Sequence, residues 1–141
     1  MTGIVVDASV AVKWVITEAF SENAARLLEA SFSLLAPELL YAETTSALWS
    51  LARRGDISDQ DAREALAVIA DAPIDVPVSM RLLMPAATRL ARDLDHPVYD
   101  CFYLALALQE QYPLVTADKR FHERVRGHPY LADRIRHIGD L

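Results

Sequence analysis

An α/β fold, a parallel sheet sandwiched by helices, is what this sequence predicts, and two observations carry the prediction. Short apolar runs alternate with longer helical patterns along the chain, and strands separated by helices pair in parallel through crossovers. The chain has 141 residues, 52% of them hydrophobic. That is enough for one domain with a core of its own, so residues 1–141 read as a single domain without repeat or linker.

A buried strand is expected over 4–6, followed by a short helical segment over 9–15. Ser21 begins a helix running towards residue 30, and 32–35 is a second strand. Pro37 suits a first helical turn and Gly55 a stop, which gives a long helix over 37–54. Ser58, with Asp61 three residues on, opens another helix that ends before Pro73. Residues 74–78 read as a strand that Pro77 keeps short or at an edge. The helix over 79–94 contains Pro85, which permits a kink unless it falls in an early turn. A very apolar helix over 99–111, a strand over 114–116, a basic helix from Asp118 and a last strand over 136–138 complete the chain.

Several functions are excluded by what the chain lacks. The apolar opening is broken by Asp7 and again by Lys13, so it is expected to be neither a signal peptide nor a membrane span. The uncharged run over 101–108 is too short to cross a bilayer. One cysteine makes no internal disulfide and no cysteine zinc site, which suits a reducing cytoplasm. Four glycines, at 3, 55, 127 and 139, form neither a P-loop nor a dinucleotide fingerprint. There is no Gly-x-Ser-x-Gly elbow. His122 and His128 lack metalloprotease spacing and belong to a solvated surface. Cys101, inside an apolar helix, is a core residue. Trp14 and Trp49 suit either a partner groove or the core.

The net charge of −6 runs against a nucleic-acid partner, but its distribution does not. Six cations lie from Lys119 to Arg136 against only Glu123 and Asp133. This stretch suits a solvated face and a phosphate-binding one equally.

Four acids stand where acids are expensive. Ligands of parallel α/β sheets bind beyond the carboxyl ends of the strands; Asp7 directly follows the first strand and Asp118 lies two residues past Thr116. Both also suit helix N-caps. On a helical wheel Leu40, Thr44, Ala47, Leu48 and Leu51 share one apolar arc, with Glu43 at its edge and Glu38 pointing away. Asp100 opens a segment that is apolar all round and therefore central, where it gains from the helix N-terminus. Asp95, before His96 and Pro97, is the better cap for that helix. Clustered carboxylates repel: two charges about 4 Å apart cost about 4 kcal/mol at an effective dielectric near 20. Such a cluster persists by binding protons or cations, and oxygen-only ligands favour magnesium, calcium or manganese. Divalent ions held this way serve phosphodiester hydrolysis.

The motifs Val5-Val6-Asp7-Ala8-Ser9-Val10, Pro37-Glu38-Leu39-Leu40-Tyr41-Ala42-Glu43, His96-Pro97-Val98-Tyr99-Asp100-Cys101-Phe102-Tyr103-Leu104-Ala105 and Leu114-Val115-Thr116-Ala117-Asp118 resemble the PIN domain. Within it they are similar to the VapC-type toxins of bacterial toxin–antitoxin pairs. The four pieces stand in the family's order and span nearly the whole chain. The resemblance implies a four- or five-stranded parallel sheet between helices and a metal-dependent endoribonuclease. Asp7, Glu43, Asp100 and Asp118 would then be the Mg2+- or Mn2+-binding catalytic acids. Ser9 and Thr116 match hydroxyl positions that orient a carboxylate or a water. RNA is the implied substrate, and a homodimer and a cognate VapB-like antitoxin are the implied partners. Lys119, Arg120 and Arg124 are the candidates for RNA phosphate contacts, which carry no sequence information by themselves.

Two other readings differ in kind. Aspartyl-phosphate enzymes of the haloacid-dehalogenase type carry a second acid two residues after the first, where this chain has Ser9. A PIN fold that binds RNA or protein without cutting is the other; decayed sites lose an acid, and all four remain here.

Overall fold

The computed structural model describes residues 2–141. They form five parallel strands in the order β3-β2-β1-β4-β5. The strands are β1 (Thr2–Val6), β2 (Phe32–Leu35), β3 (Ile74–Asp75), β4 (Leu114–Thr116) and β5 (Ile135–His137). Seven α-helices connect and flank them: α1 (Ala8–Ala11), α2 (Ser21–Arg26), α3 (Leu39–Arg53), α4 (Asp59–Asp71), α5 (Met80–Leu94), α6 (Val98–Glu110) and α7 (Lys119–Arg126). The expected parallel sheet of four or five strands is present, with five.

β1 lies in the middle because it is apolar on both faces: Ile4, Val5 and Val6 are all buried, as a parallel strand covered on two sides requires. The chain winds outward from β1 through β2 to β3, then returns to the other side of β1 to lay down β4 and β5. The reversal leaves a switch point between the carboxyl ends of β1 and β4, where such sheets open a ligand crevice. α6 is the central helix, burying Cys101 and residues 103–107. α5 turns Leu83, Ala87, Leu90 and Leu94 inward at helical spacing and packs along α6.

The turn between α5 and α6 has a defined geometry. Asp95 adopts the left-handed conformation (φ 49°); its amide donates to Arg92 O, and the His96 amide reaches back to Ala91 O. These two bonds make a Schellman motif, which closes the end of α5. Pro97 then restricts His96 to extended backbone. Asp95 thus ends the preceding helix and does not cap α6, whose N-cap position is Pro97 with no side-chain cap.

The remaining differences from expectation are local. β3 spans two residues instead of 74–78, since Pro73 and Pro77 flank it and neither can donate to a ladder. The segment over 9–15 divides into α1 and a 3-10 turn, Val12–Trp14. α2 ends at Arg26, short of residue 30, and β5 begins one residue early. Pro85 sits in the second turn of an unbroken α5. Among the described residues no helix is long and apolar enough to cross a membrane.

Candidate active site

β1 and β4 are neighbours in register, with Val6 opposite Val115, so the next residues, Asp7 and Thr116, meet at the switch point. Asp7 is 4% exposed. Its Oδ1 accepts from the Ser9 hydroxyl at 2.5 Å and the Val10 amide at 3.2 Å, and its Oδ2 accepts from the Thr116 hydroxyl. Both hydroxyls also act as acceptors. Ser9 Oγ takes the Ala117 amide at 2.9 Å, and Thr116 Oγ1 takes the Asp118 amide at 3.0 Å. The capping roles are real as well: Asp7 is the N-cap of α1, and Asp118 caps α7 by accepting from the Phe121 amide at 3.1 Å.

Hydrogen bonds to a carboxylate normally lower its pKa, whereas burial raises it. At Asp7 burial wins. The carboxyl is pushed up from 3.8 to about 7, against the pull of Ser9, Thr116 and Val10 and with a further push from Asp100.

Glu43 and Asp100 come from the helices. Glu43 lies half-buried on α3, as the edge of the apolar arc predicts, while Glu38 is exposed. Tyr103, fully buried in α6, donates its hydroxyl to Glu43 Oε1 at 2.6 Å. Burial raises the Glu43 pKa, Tyr103 opposes that, and Asp100 reinforces it. Asp100 sits in the first turn of α6, with Oδ2 2.7 Å from His96 Nε2. Its carboxyl is also raised, first by burial, with His96 opposing and the Asp118 charge adding.

The four acids line one cavity of about 230 Å³ together with Ala8, Ser9, Val12 and Ala47. Four other clefts are larger, from about 410 to about 580 Å³, but size does not decide the matter. The smaller cavity brings together Asp7, Glu43 and Asp100, whose pKa values are all raised, and such clusters mark functional sites. Among the described residues, no lysine, arginine or histidine lines it to balance their charge. Nor, among the described residues, do three or more His, Cys, Asp or Glu side chains stand close enough together to hold a metal ion between them as they are placed. An open set of oxygen donors, unbalanced by any cation, suits a hard divalent ion that keeps part of its water shell.

The basic candidates lie elsewhere. Lys119, Arg120 and Arg124 are exposed on α7, and none lines the acidic cavity. Arg124 donates to Leu94 O at 3.2 Å, and with Arg120 it borders the 550 Å³ cleft beside Asp93, Asp95 and Glu123. Trp14 is half-buried, its indole donating to Ala24 O, while Trp49 is 61% exposed. His122 and His128 are half-buried rather than freely solvated, and His122 meets the ring of His137 at 5.7 Å. Cys101 is buried in the core. Two residues received no role from the sequence although they hold the acids: His96 and Tyr103. Their spacing is the available signal, four residues before Asp100 and three after it, one turn to either side.

A parallel α/β sheet with an acidic cleft at its switch point defines the class. Over residues 4–127 the chain matches the family model of the PIN domain, and it belongs to that family. Among solved structures it is similar to PAE2754 from Pyrobaculum aerophilum, with 21% identity and a TM-score of 0.67, covering 99% of this chain and 85% of that one. It is also similar to VapC20 of Mycobacterium tuberculosis, a toxin described as cleaving the sarcin–ricin loop. There the identity is 21% and the TM-score 0.64, covering 85% of this chain and 93% of that one. VapBC2 from Rickettsia felis, bound to a DNA fragment from its promoter, shares the fold at 12% identity. Its TM-score is 0.66, covering 96% of this chain and 98% of that one. At these identities the likeness is one of fold. Comparison with curated proteins gives no match.

Proposed function

We propose that this chain is a divalent-cation-dependent endoribonuclease of the VapC toxin type, hydrolysing RNA phosphodiester bonds. One observation carries the reading: acids from four separate elements line a single cavity at the switch point, with Asp7 pushed up to about 7. A fold gains nothing in stability from gathering carboxylates without a countercharge. The cost is explained if Asp7, Asp100, Glu43 and Asp118 together hold Mg2+ or Mn2+.

When bound there, such an ion supplies Lewis acidity towards a phosphoryl oxygen and a water that is nucleophilic at neutral pH. The chain's own groups prepare the site. Ser9 and Thr116 clamp both oxygens of Asp7 and fix its carboxylate plane. Tyr103 holds one oxygen of Glu43; the other makes no hydrogen bond among the described residues and can receive a proton or a ligand. Asp118 is oriented by its own cap bond. Lys119, Arg120 and Arg124, on the helix that Asp118 opens, are suited to hold the RNA backbone beside the cleft.

A VapB-like antitoxin and a second copy of the chain are the proposed partners. The likeness to VapBC2 supports the first. Exposed Leu82 and Met84 on α5 and Trp49 on α3 offer apolar surface to either. A cytoplasmic location accords with an RNA substrate and an unpaired cysteine.

The test is cleavage of a mixed pool of structured RNA by purified protein in Mg2+, Mn2+ or EDTA, alongside Asp7→Asn. Metal-dependent cutting that the substitution abolishes is expected. Equal cutting by both proteins in EDTA would reduce the activity to contamination and favour a PIN fold that binds without cutting.

A further inference from the structure

His96 is the histidine that hydrogen-bonds an acid of the cleft, and its surroundings are unlike those of a surface residue. Its side chain is 4% exposed. One edge presents Nε2 to Asp100 Oδ2 at 2.7 Å, and a carboxylate there can only accept, so the ring donates. One face stacks on Phe121, with centroids 4.7 Å apart and planes inclined by 23°. Phe121 is fully buried, and its amide is the donor that holds Asp118 Oδ1. A continuous path therefore runs from the Asp100 carboxylate through two stacked rings to the Asp118 carboxylate. It bridges α6 and α7, the helices that carry the two acids.

The backbone at both ends of this path is fixed. The His96 amide is tied to Ala91 O by the Schellman motif and followed by Pro97, so the ring hangs from a rigid turn. Phe121 lies in the first turn of α7, within the cap that Asp118 makes. Core filling alone does not explain the choice of residue: an aliphatic side chain at 96 would cover Phe121 without a polar group to satisfy. A ring nitrogen supplies a donor aimed at Asp100. Like charges on separate helices repel, and a donor attached to a rigid stack opposes that repulsion at a defined place.

We propose that His96 is a positioning residue: stacked on Phe121, it sets where the Asp100 carboxylate stands relative to Asp118, and so tunes the cleft's affinity for a divalent cation. This rests on the reading of the four acids as a cation site. Hydrogen-bonding partners of ligating carboxylates act in this way in metal centres generally, and losing one costs about 10–100-fold in affinity or activity.

The experiment is calorimetric titration of Mn2+ into purified, EDTA-stripped protein, with thermal melts run in parallel to establish folding. The proteins are wild type, His96→Leu, His96→Gln and Phe121→Leu. Gln can place its amide nitrogen close to the position of Nε2; Leu fills the space without a donor. Expected is a loss of affinity of at least about tenfold in His96→Leu, recovered in large part by His96→Gln. A smaller loss is expected in Phe121→Leu, which keeps the hydrogen bond but removes the stack.

If the folded Leu variant binds Mn2+ as wild type does, the positioning role is overturned while the cation site stands. A wild type that binds no Mn2+ overturns the cation reading and this proposal together. Should His96→Leu fail to fold, Phe121→Leu decides: weakened binding supports the coupling, and unchanged binding overturns it.

Discussion

Thr116 donates its hydroxyl to Asp7 Oδ2 although 109 residues separate the two in the chain. Thr116 Oγ1 also accepts the Asp118 amide, so one fully buried threonine touches two of the four acids. The contact exists because β4 returns to lie beside β1 and brings their carboxyl ends level.

Thr116→Val keeps the shape but removes both the donor and the acceptor. Asp7 Oδ2 and the Asp118 amide lose their partner, which costs about 1–3 kcal/mol in a urea melt. Without this donor the Asp7 pKa rises further. The acid limb of the pH–rate profile should therefore move to higher pH, whereas Thr116→Ser, which retains the hydroxyl, should leave it near its original place. A valine variant with an unmoved limb would separate Asp7 from that limb.

Asp7 makes the metal-free protein sensitive to alkali. Its folded pKa of about 7 stands above the ordinary 3.8, so the native state holds the proton more tightly than the unfolded one. The associated stability is full below pH 3.8 and is lost as pH rises through 7, a swing on the order of 4 kcal/mol from this group. In EDTA, Asp7→Asn should raise the melting temperature at pH 8 and flatten its pH dependence, and in Mg2+ or Mn2+ it should abolish cleavage. Mn2+ at pH 8 should stabilise wild type and not the variant. Melts at pH 5 and pH 8 check both expectations, and equal slopes for the two proteins would remove Asp7 as their source.

Lys119 and Arg120 are exposed beside Asp118. If both contact RNA phosphates, replacing the pair with Ala should raise KM and leave kcat nearly unchanged. The slope of log affinity against log salt should fall by roughly 1.4, two contacts on a single strand. Binding to a catalytically dead Asp7→Asn background over a salt series measures this; an unaltered slope takes these two cations out of the RNA interface.

Gln111 ends α6 in the left-handed region at φ 62°, a conformation in which a Cβ costs roughly 1–2 kcal/mol. Gln111→Gly should stabilise the protein by about 1 kcal/mol by urea denaturation, part of the relief being lost to the freer unfolded chain. Cleavage should be unaffected, because Gln111 lies at the far end of α6 from Asp100. A destabilised variant would mean that the Gln111 side chain makes a contribution larger than its backbone strain.

How much could be read in advance depended on the range of the interaction responsible. Apolar runs and their breakers are local, so residues 4–6, 32–35 and 114–116 read correctly as strands, and Pro37 and Gly55 bracketed α3. Asp7 and Asp118 stood out for a local reason too, since each follows a strand. Glu43 could be placed at the edge of a buried stripe because helical periodicity is a property of one segment.

Asp95 was misjudged because capping chemistry is shared: before a proline the same residue suits the start of one helix or the end of another. Only the bonds of its own amide to Arg92 O and of the His96 amide to Ala91 O decide. The sequence by itself determined the strands, the helices and the presence of four costly acids. The tertiary structure decided the strand order, and with it the meeting of Asp7 with Thr116, of Glu43 with Tyr103, and of Asp100 with a histidine stacked on Phe121. Those pairs depend on which surfaces pack together, and side-chain contacts across tens of residues are set by the packing of the whole core rather than by the preference of any one segment.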